Sequence, residues 1–227
     1  IMKATSKLEF LSQFPLFNVL SEEELTYLDK FTKAKTYEKH KYIFSEDEPS
    51  DTIFFLTKGI IKLGSHSNEG REVIKNILHP HAMFGELGLV GEEKRQGFAE
   101  VMNAPAECLL LKVSDFKKLM DTNHQLCFNV INLVGEKLRK AESRIESLIF
   151  KDARARIIDF LKDSVEKRGR RVGFEMLVKN TLTQQDIANI TGTSRQTVTS
   201  VLNNLRKSDL IYFNRKSILI RDMQKLV

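Results

Sequence analysis

The chain has 227 residues, 41% of them hydrophobic and 29% charged, a balance that fits one or two soluble globular domains and excludes a polytopic membrane protein. Its apolar runs, such as Cys108 to Leu111, are a handful of residues long, far short of the roughly 18–20 that a bilayer span needs. Two cysteines, Cys108 and Cys127, are too few for a disulfide framework, a four-thiolate zinc site or a cysteine-held iron–sulfur cluster.

The net charge of +6 is unevenly shared. Residues 1–150 carry 20 basic against 22 acidic side chains, a net −2, whereas residues 151–227 carry 16 against 8, a net +8. A compact basic segment neutralises phosphates and releases condensed counterions, so double-stranded DNA is the expected partner of the C-terminal part. An anionic membrane surface would call for a basic amphipathic helix, which that segment does not show, so no membrane partner is expected. The first residues lack the continuous apolar stretch of a secretory signal, and a cytoplasmic, reducing setting is expected.

In chain order, Ser21 followed by Glu24 predicts a helix opened by a capping box, with Leu25 and Leu28 on its inner side. From Lys35 to Lys112, β-rich runs follow: Tyr42–Phe44, Thr52–Thr57, Ile60–Ser65, Glu72–Leu78, Phe98–Met102 and Ala106–Lys112. Gly, Pro and Asn fall between them, at Glu48-Pro49, Lys58-Gly59, Asn68-Glu69-Gly70, His79-Pro80-His81 and Gly85 to Gly91. This predicts an antiparallel β-domain. From about Leu126 to Leu148, Cys127, Ile131, Val134, Leu138, Ala141, Ile145 and Leu148 recur at alternating intervals of four and three. That is a heptad seam, predicting a long helix that pairs with its copy in a parallel homodimer. An amphipathic helix packed on its own domain is the other reading. Cys127 falls on the seam register, where symmetry would bring two copies together; it reads either as a small apolar seam residue or as a redox-linked intersubunit thiol. Asp152 to Arg168 predicts a further helix with Ile157, Ile158, Leu161 and Val165 on one side, ended near Gly169.

Residues 182–211 carry the most informative pattern. Thr183 with Asp186 caps a short helix that Gly192 breaks, and Thr193-Ser194 restarts a second, with Thr193 and Gln196 suggesting another capping box. Val198, Val201, Leu202 and Leu205 mark its buried face. The other face is left to Arg195, Gln196, Thr199, Ser200 and Asn203, side chains that suit base edges: Arg pairs with guanine, Gln or Asn with adenine, and Ser or Thr with either. This is a helix-turn-helix with Arg195, Gln196, Thr199 and Ser200 as base readers and Thr183 and Ser194 toward the DNA backbone. A hairpin of Leu210–Phe213 and Ser217–Ile220 supplies a wing, with Arg215 and Lys216 at its tip against phosphates.

These residues resemble the CRP/FNR superfamily of bacterial transcription regulators. The likeness rests on Lys58-Gly59-Ile60-Ile61-Lys62-Leu63 followed by Gly70-Arg71-Glu72, on Phe84-Gly85-Glu86-Leu87-Gly88-Leu89, and on Thr183-Gln184-Gln185-Asp186-Ile187-Ala188 leading to Gly192-Thr193-Ser194-Arg195-Gln196-Thr197-Val198. It implies an α+β chain: a sensor domain over residues 1–123 built on an antiparallel β-roll of the double-stranded β-helix or jelly-roll kind, a dimerisation helix over 124–150 and a winged helix-turn-helix over 151–227. It also implies palindromic promoter sites, contact with RNA polymerase and a signal, possible as a small-molecule effector, received at the β-roll. Gly85, Glu86, Leu87, Arg95 and Gln96 are the implied effector pocket, and Ile131, Val134, Leu138, Ala141, Ile145 and Leu148 the dimer seam.

Members that respond to cyclic AMP hold its phosphate with an Arg-Ser pair. At strict family spacing Gln96-Gly97 stands there; with a loop one residue shorter, Arg95-Gln96 does, and Glu86 would then accept from the ribose hydroxyl. The Thr-Ser pair that receives the adenine is replaced by Ala141-Glu142. Cyclic AMP is therefore disfavoured and the effector unidentified; a cyclic-AMP-responsive activator using Arg95 and Glu86 and a ligand-independent DNA-binding protein are the alternatives. The cysteine cluster of an iron–sulfur oxygen sensor is absent, and His40, His66, His79, His81 and His124 lack a spacing that marks a haem or metal site. His81 stands where the family has Gly after Pro, which bears on that turn. Neither a phosphate-binding loop nor a Gly-x-Ser-x-Gly elbow is present, so no enzymatic activity is expected.

Overall fold

The computed structural model describes residues 4–179, 182–214 and 217–226, with side chains from Lys7 onward. The chain divides into two compact units, Ile1–Arg139 and Lys140–Val227, with the boundary inside one long helix.

The first unit begins with α1 (Ala4–Ser12), a 3-10 turn at Pro15–Phe17 and α2 (Glu22–Phe31). The α2 start is the capping box expected from Ser21 and Glu24: Ser21 Oγ accepts from Glu24 N at 3.2 Å and Glu24 Oε2 accepts from Ser21 N at 2.8 Å, satisfying two N–H groups that the helix leaves open. Two antiparallel sheets follow. One comprises β1 (Lys33–Tyr37), β8 (Ala106–Lys112), β3 (Thr52–Lys58) and β6 (Met83–Phe84) in that spatial order; the other comprises β2 (Tyr42–Phe44), β7 (Phe98–Val101), β4 (Ile61–His66) and β5 (Glu72–Leu78). Then come α3 (Val113–Thr122) and α4 (His124–Phe150).

The first sheet is covered on both faces, which explains why β3 and β8 read as continuous apolar runs. Ile53 and Phe55 point with Leu109 and Leu111 toward the helices, where Leu11, Phe17, Leu28, Phe116, Leu126 and Val130 meet them. Phe54, Leu56 and Cys108, one residue out of phase, point toward Ile61, Ala99 and Val101 of the second sheet. Truncating a fully buried ring such as Phe55 in such a core costs about 3–5 kcal/mol. His81 takes a left-handed conformation at φ 70°, which Gly adopts most readily, its ring stacked on Phe10 at 4.8 Å. The early turns of α4 pack on their own unit through Leu126 and Val130. Ile131, Leu138, Ile145 and Leu148 are exposed, as are Phe128, Ile149 and Phe150, so the early turns of α4 pack on their own domain while most of the heptad positions stand open.

The second unit holds the end of α4, then α5 (Ala153–Arg168), β9 (Arg170–Val172), β10 (Glu175–Lys179), α6 (Gln184–Thr191), α7 (Arg195–Lys207), β11 (Ile211–Phe213) and β12 (Ser217–Ile220). Asp152 caps α5 by accepting from Ala155 N at 2.7 Å. Strand order is β11-β12-β10-β9, so the expected hairpin is half of a larger sheet. Its core joins Ile157, Leu161, Val178, Ile187, Val198, Leu202, Ile218 and Ile220.

β1, β6, β9, β10, α1 and α3 are elements that the sequence alone does not predict. Among the described residues no helix is long and apolar enough to cross a membrane, and no cluster of His, Cys, Asp and Glu is placed to hold a metal ion.

Candidate DNA-reading face and effector cavity

In the second unit, α6 and α7 form the helix-turn-helix. Thr183 and Asp186 make the reciprocal capping box, with Asp186 N donating to Thr183 Oγ1 at 3.1 Å and Thr183 N to Asp186 Oδ2 at 2.8 Å. Gly192 turns the chain at φ 63°, a left-handed conformation that costs a residue bearing Cβ roughly 1–2 kcal/mol. The second helix starts one residue later than the expected Thr193 box. Ser194 is the cap, its Oγ accepting from Thr197 N at 3.0 Å, while Thr193 Oγ1 lies 3.2 Å from Thr191 Oγ1. Gln196 therefore has no capping duty from Thr193.

The buried side of α7 is Val198, Val201, Leu202 and Leu205. Arg195, Gln196 and Ser200 are exposed at its beginning; Thr199 and Asn203 are half-buried. Thr199 Oγ1 lies 2.5 Å from Gln184 Oε1 and 2.9 Å from Arg195 O, so this hydroxyl is engaged within the motif. Gln184, at the start of α6, is thereby brought beside the base-reading candidates. Its sequence position alone does not single it out, because that contact spans two helices. Arg215 and Lys216 lie outside the described residues, though β11 and β12 on either side of them pair from Phe213↔Ile218 to Ile211↔Ile220.

In the first unit, a cavity of about 520 Å³ opens beside the 3-10 turn Glu86–Val90, within the range of small-molecule sites. Gly85, Glu86, Leu87, Arg95 and Gln96, all expected there, line it together with Phe44, Leu63, Phe98, Lys75 and Lys137. Gly85 is left-handed at φ 77°, and a Cβ there would meet Thr52 O at 2.9 Å, so glycine permits the close approach that shapes the wall.

Arg95 is buried. Its Nη1 donates to Gly85 O at 3.0 Å and its Nη2 to Thr52 O at 2.5 Å. The guanidinium lies 4.4 Å from the Phe44 ring centre and 3.6 Å from Glu92. Burial lowers its pKa from the ordinary arginine value, opposed by Glu92 and then Asp51; an arginine in this setting stays cationic. Its Nε is buried without a partner. Glu86, also buried, accepts from Lys137 Nζ of α4 at 2.5 Å. Glu92 accepts from Ser50 Oγ at 2.6 Å, and Lys75 Nζ donates to Gln96 O at 3.0 Å. Three cations, Lys75, Arg95 and Lys137, thus face two carboxylates, Glu86 and Glu92, along the cavity, an arrangement that favours an anionic over a cationic occupant. Lys137 was not foreseen as a lining residue: it is 51 residues from its partner.

On α4, Ile131, Leu138, Ala141, Ile145 and Leu148 are exposed and Val134 half-buried. Cys127 is half-buried, with Sγ 3.3 Å from Met120 O.

Residues 34–123 match the cyclic nucleotide-binding domain family and residues 155–227 the Crp-like helix-turn-helix domain family. The CRP-like cAMP-activated global transcriptional regulator of Mycobacterium tuberculosis is 25% identical over 218 residues, 96% of this chain and 97% of that protein. The anaerobic regulatory protein of Bacillus subtilis is 25% identical over 214 residues, 94% of this chain and 90% of that protein. Among solved structures, FixK2 of Bradyrhizobium japonicum has the same fold, with a TM-score of 0.76 at 23% identity over 86% of this chain and 95% of that one.

Proposed function

We propose, for a chain that belongs to the CRP/FNR superfamily of transcription regulators, that it acts as a cytoplasmic homodimer on a palindromic promoter site and contacts RNA polymerase there. Arg195, Gln196 and Ser200 read base edges in the major groove, and Thr199 acts beside them through Gln184. Thr183, Ser194, Arg215 and Lys216 hold the backbone. The observation that carries this reading is the start of α7: Ser194 caps it, and Arg195 and Gln196 stand exposed on the face opposite Val198 and Leu202, the geometry by which a recognition helix enters the groove. Replacing Arg195 by Ala is expected to relax preference at one guanine by about 1–3 kcal/mol and leave other positions unchanged. Equal losses at every position would remove Arg195 from base reading.

The effector is a small molecule other than cyclic AMP that enters the β-roll cavity and shifts the dimer toward the form whose two recognition helices are spaced about 34 Å apart. Support comes from the groups a cyclic nucleotide would need. Two of the Arg95 donor nitrogens are spent on Gly85 and Thr52 carbonyls, Lys137 already holds Glu86, and Ala141-Glu142 stands where an adenine-receiving pair would be. A second reading, cyclic AMP activation through Arg95 and Glu86, is favoured by one observation, the unpartnered Arg95 Nε on a residue that lines the cavity. Calorimetric titration of the full chain with cyclic AMP separates the two readings: no heat of binding up to millimolar nucleotide is expected, and micromolar saturation would establish the second.

A further inference from the structure

The turn between α6 and α7 is held from outside the motif. An α-helix ends with carbonyls that have no helical N–H left to meet. At the end of α6 three successive carbonyls, those of Ile190, Thr191 and Gly192, are taken by two arginines from other elements. Arg144 of α4 donates from Nη2 to Ile190 O at 2.5 Å. Arg156 of α5 donates from Nε to Thr191 O at 2.8 Å and from Nη2 to Gly192 O at 3.2 Å. The remaining Arg156 nitrogen, Nη1, donates to Lys151 O just beyond the end of α4, at 2.6 Å. One guanidinium therefore bridges the end of α4 and the turn. Leu148 closes the same contact: its Cδ2 lies 3.1 Å from where a Cβ on Gly192 would be, so this seam position also packs against the turn.

We propose that Arg144 and Arg156 are positioning residues for DNA recognition, fixing the start of α7 through the backbone carbonyls of the turn. The inference rests on the reading that α7 reads bases. The carbonyls they hold lie three to five residues before Arg195, so a small displacement of the turn moves the base-reading side chains together. The planar fork of Arg156 spans two adjacent carbonyls and a third opposite them, which the single ammonium of lysine does not reproduce. Arg144 needs only one donor for Ile190. Burial pushes the Arg144 guanidinium below its ordinary pKa, in keeping with a group enclosed in protein rather than spread toward phosphates. Arg144 also adjoins the exposed Ile145 on α4, so a change in seam packing is delivered one residue from the clamp.

The test uses the full chain and the operator it selects from a random duplex library. Affinity for that operator and for scrambled duplex is measured across salt concentrations for Arg144→Met, Arg144→Lys, Arg156→Met and Arg156→Lys, alongside thermal unfolding. The ratio of specific to non-specific affinity is expected to fall about tenfold or more in both Met variants, with the salt slope unchanged because no phosphate contact is lost. Arg144→Lys should restore the ratio and Arg156→Lys should not. An unchanged ratio, even with a lowered melting temperature, would overturn the proposal, as would a salt slope reduced by about one per arginine, the signature of a phosphate contact. Should Arg156→Met fail to fold, the Arg144 pair decides. A wild-type chain that selects no operator would overturn the DNA-reading premise and the clamp with it.

Discussion

Tyr37 and Cys108 lie in the core between the two sheets, and burial pushes both groups up to about 12, with the Cys108 charge adding to the effect on Tyr37. Each therefore keeps its proton in the folded unit at pH values where an unfolded chain, with pKa near 8.5 for Cys and 10 for Tyr, has lost it. The folded state then binds more protons, and stability falls as pH rises. Denaturant midpoints should hold up to about pH 8.5 and decline from there toward pH 12; a flat alkaline profile would contradict the burial argument. A second residue-scale prediction concerns Glu86. Removing Lys137 as Lys137→Met leaves a buried carboxylate without its cation, whereas Glu86→Gln combined with Lys137→Met removes both charges. The single variant should lose about 1–2 kcal/mol, the low end for a buried pair because the lysine side chain is 40% exposed. The double variant should recover most of that, and a double-mutant cycle in urea gives the coupling directly. Residues of this kind divide by legibility. Gly85, Glu86 and Arg95 could be placed because they sit in or shortly after the Phe84 to Leu89 block that carries the family resemblance. Lys137 could not, because its part in the cavity depends on the packing of α4 against that block, which no periodicity encodes.

At the scale of elements, local chemistry predicts well where the signal is local. Ser21 with Glu24 and Thr183 with Asp186 are capping boxes in the sequence and in the structure. The start of α7 is the instructive shift. Thr193 and Gln196 have the right spacing, yet Gly192 in its left-handed conformation hands the cap to Ser194. Ser194→Ala should therefore cost about 1 kcal/mol of stability in the second unit, and Thr193→Ala less, because Thr193 caps nothing; thermal melts of the two variants decide, and the reverse order would place the cap at Thr193. Elements passed over lack such signals. β1 is Lys-Ala-Lys-Thr-Tyr with only Tyr37 buried, an edge strand whose partner β8 supplies the pairing from outside. β9 exposes all three of its residues, so no apolar alternation announces it. In β3 and β8 the second buried face turns alternation into an apolar run, and sequence still located both.

At the scale of the whole molecule, the proposed homodimer rests on α4. Its Leu126 and Val130 are spent inside their own unit, while Ile131, Leu138 and Ile145 remain more than half exposed, a row of apolar side chains at heptad spacing that a second copy would cover. Leu138→Asp is expected to shift sedimentation from dimer to monomer and to abolish high-affinity operator binding, since each half-site then binds alone; a variant that stays dimeric would move the seam elsewhere. The long-range consequences of this helix, from Lys137 at the cavity to Arg144 at the turn, are what a linear reading of the chain does not reach. The heptad repeat shows which stripe is apolar, but the polar residues between its positions acquire their partners only through the fold. The central claim, that this chain reads a specific palindrome, is tested most directly by selecting from a random duplex library with the full chain and titrating the enriched site at fixed salt. The account predicts one two-fold symmetric sequence with half-sites about 10 base pairs apart, bound roughly a thousandfold or more tighter than scrambled duplex. Equal affinity for selected and scrambled DNA would contradict it.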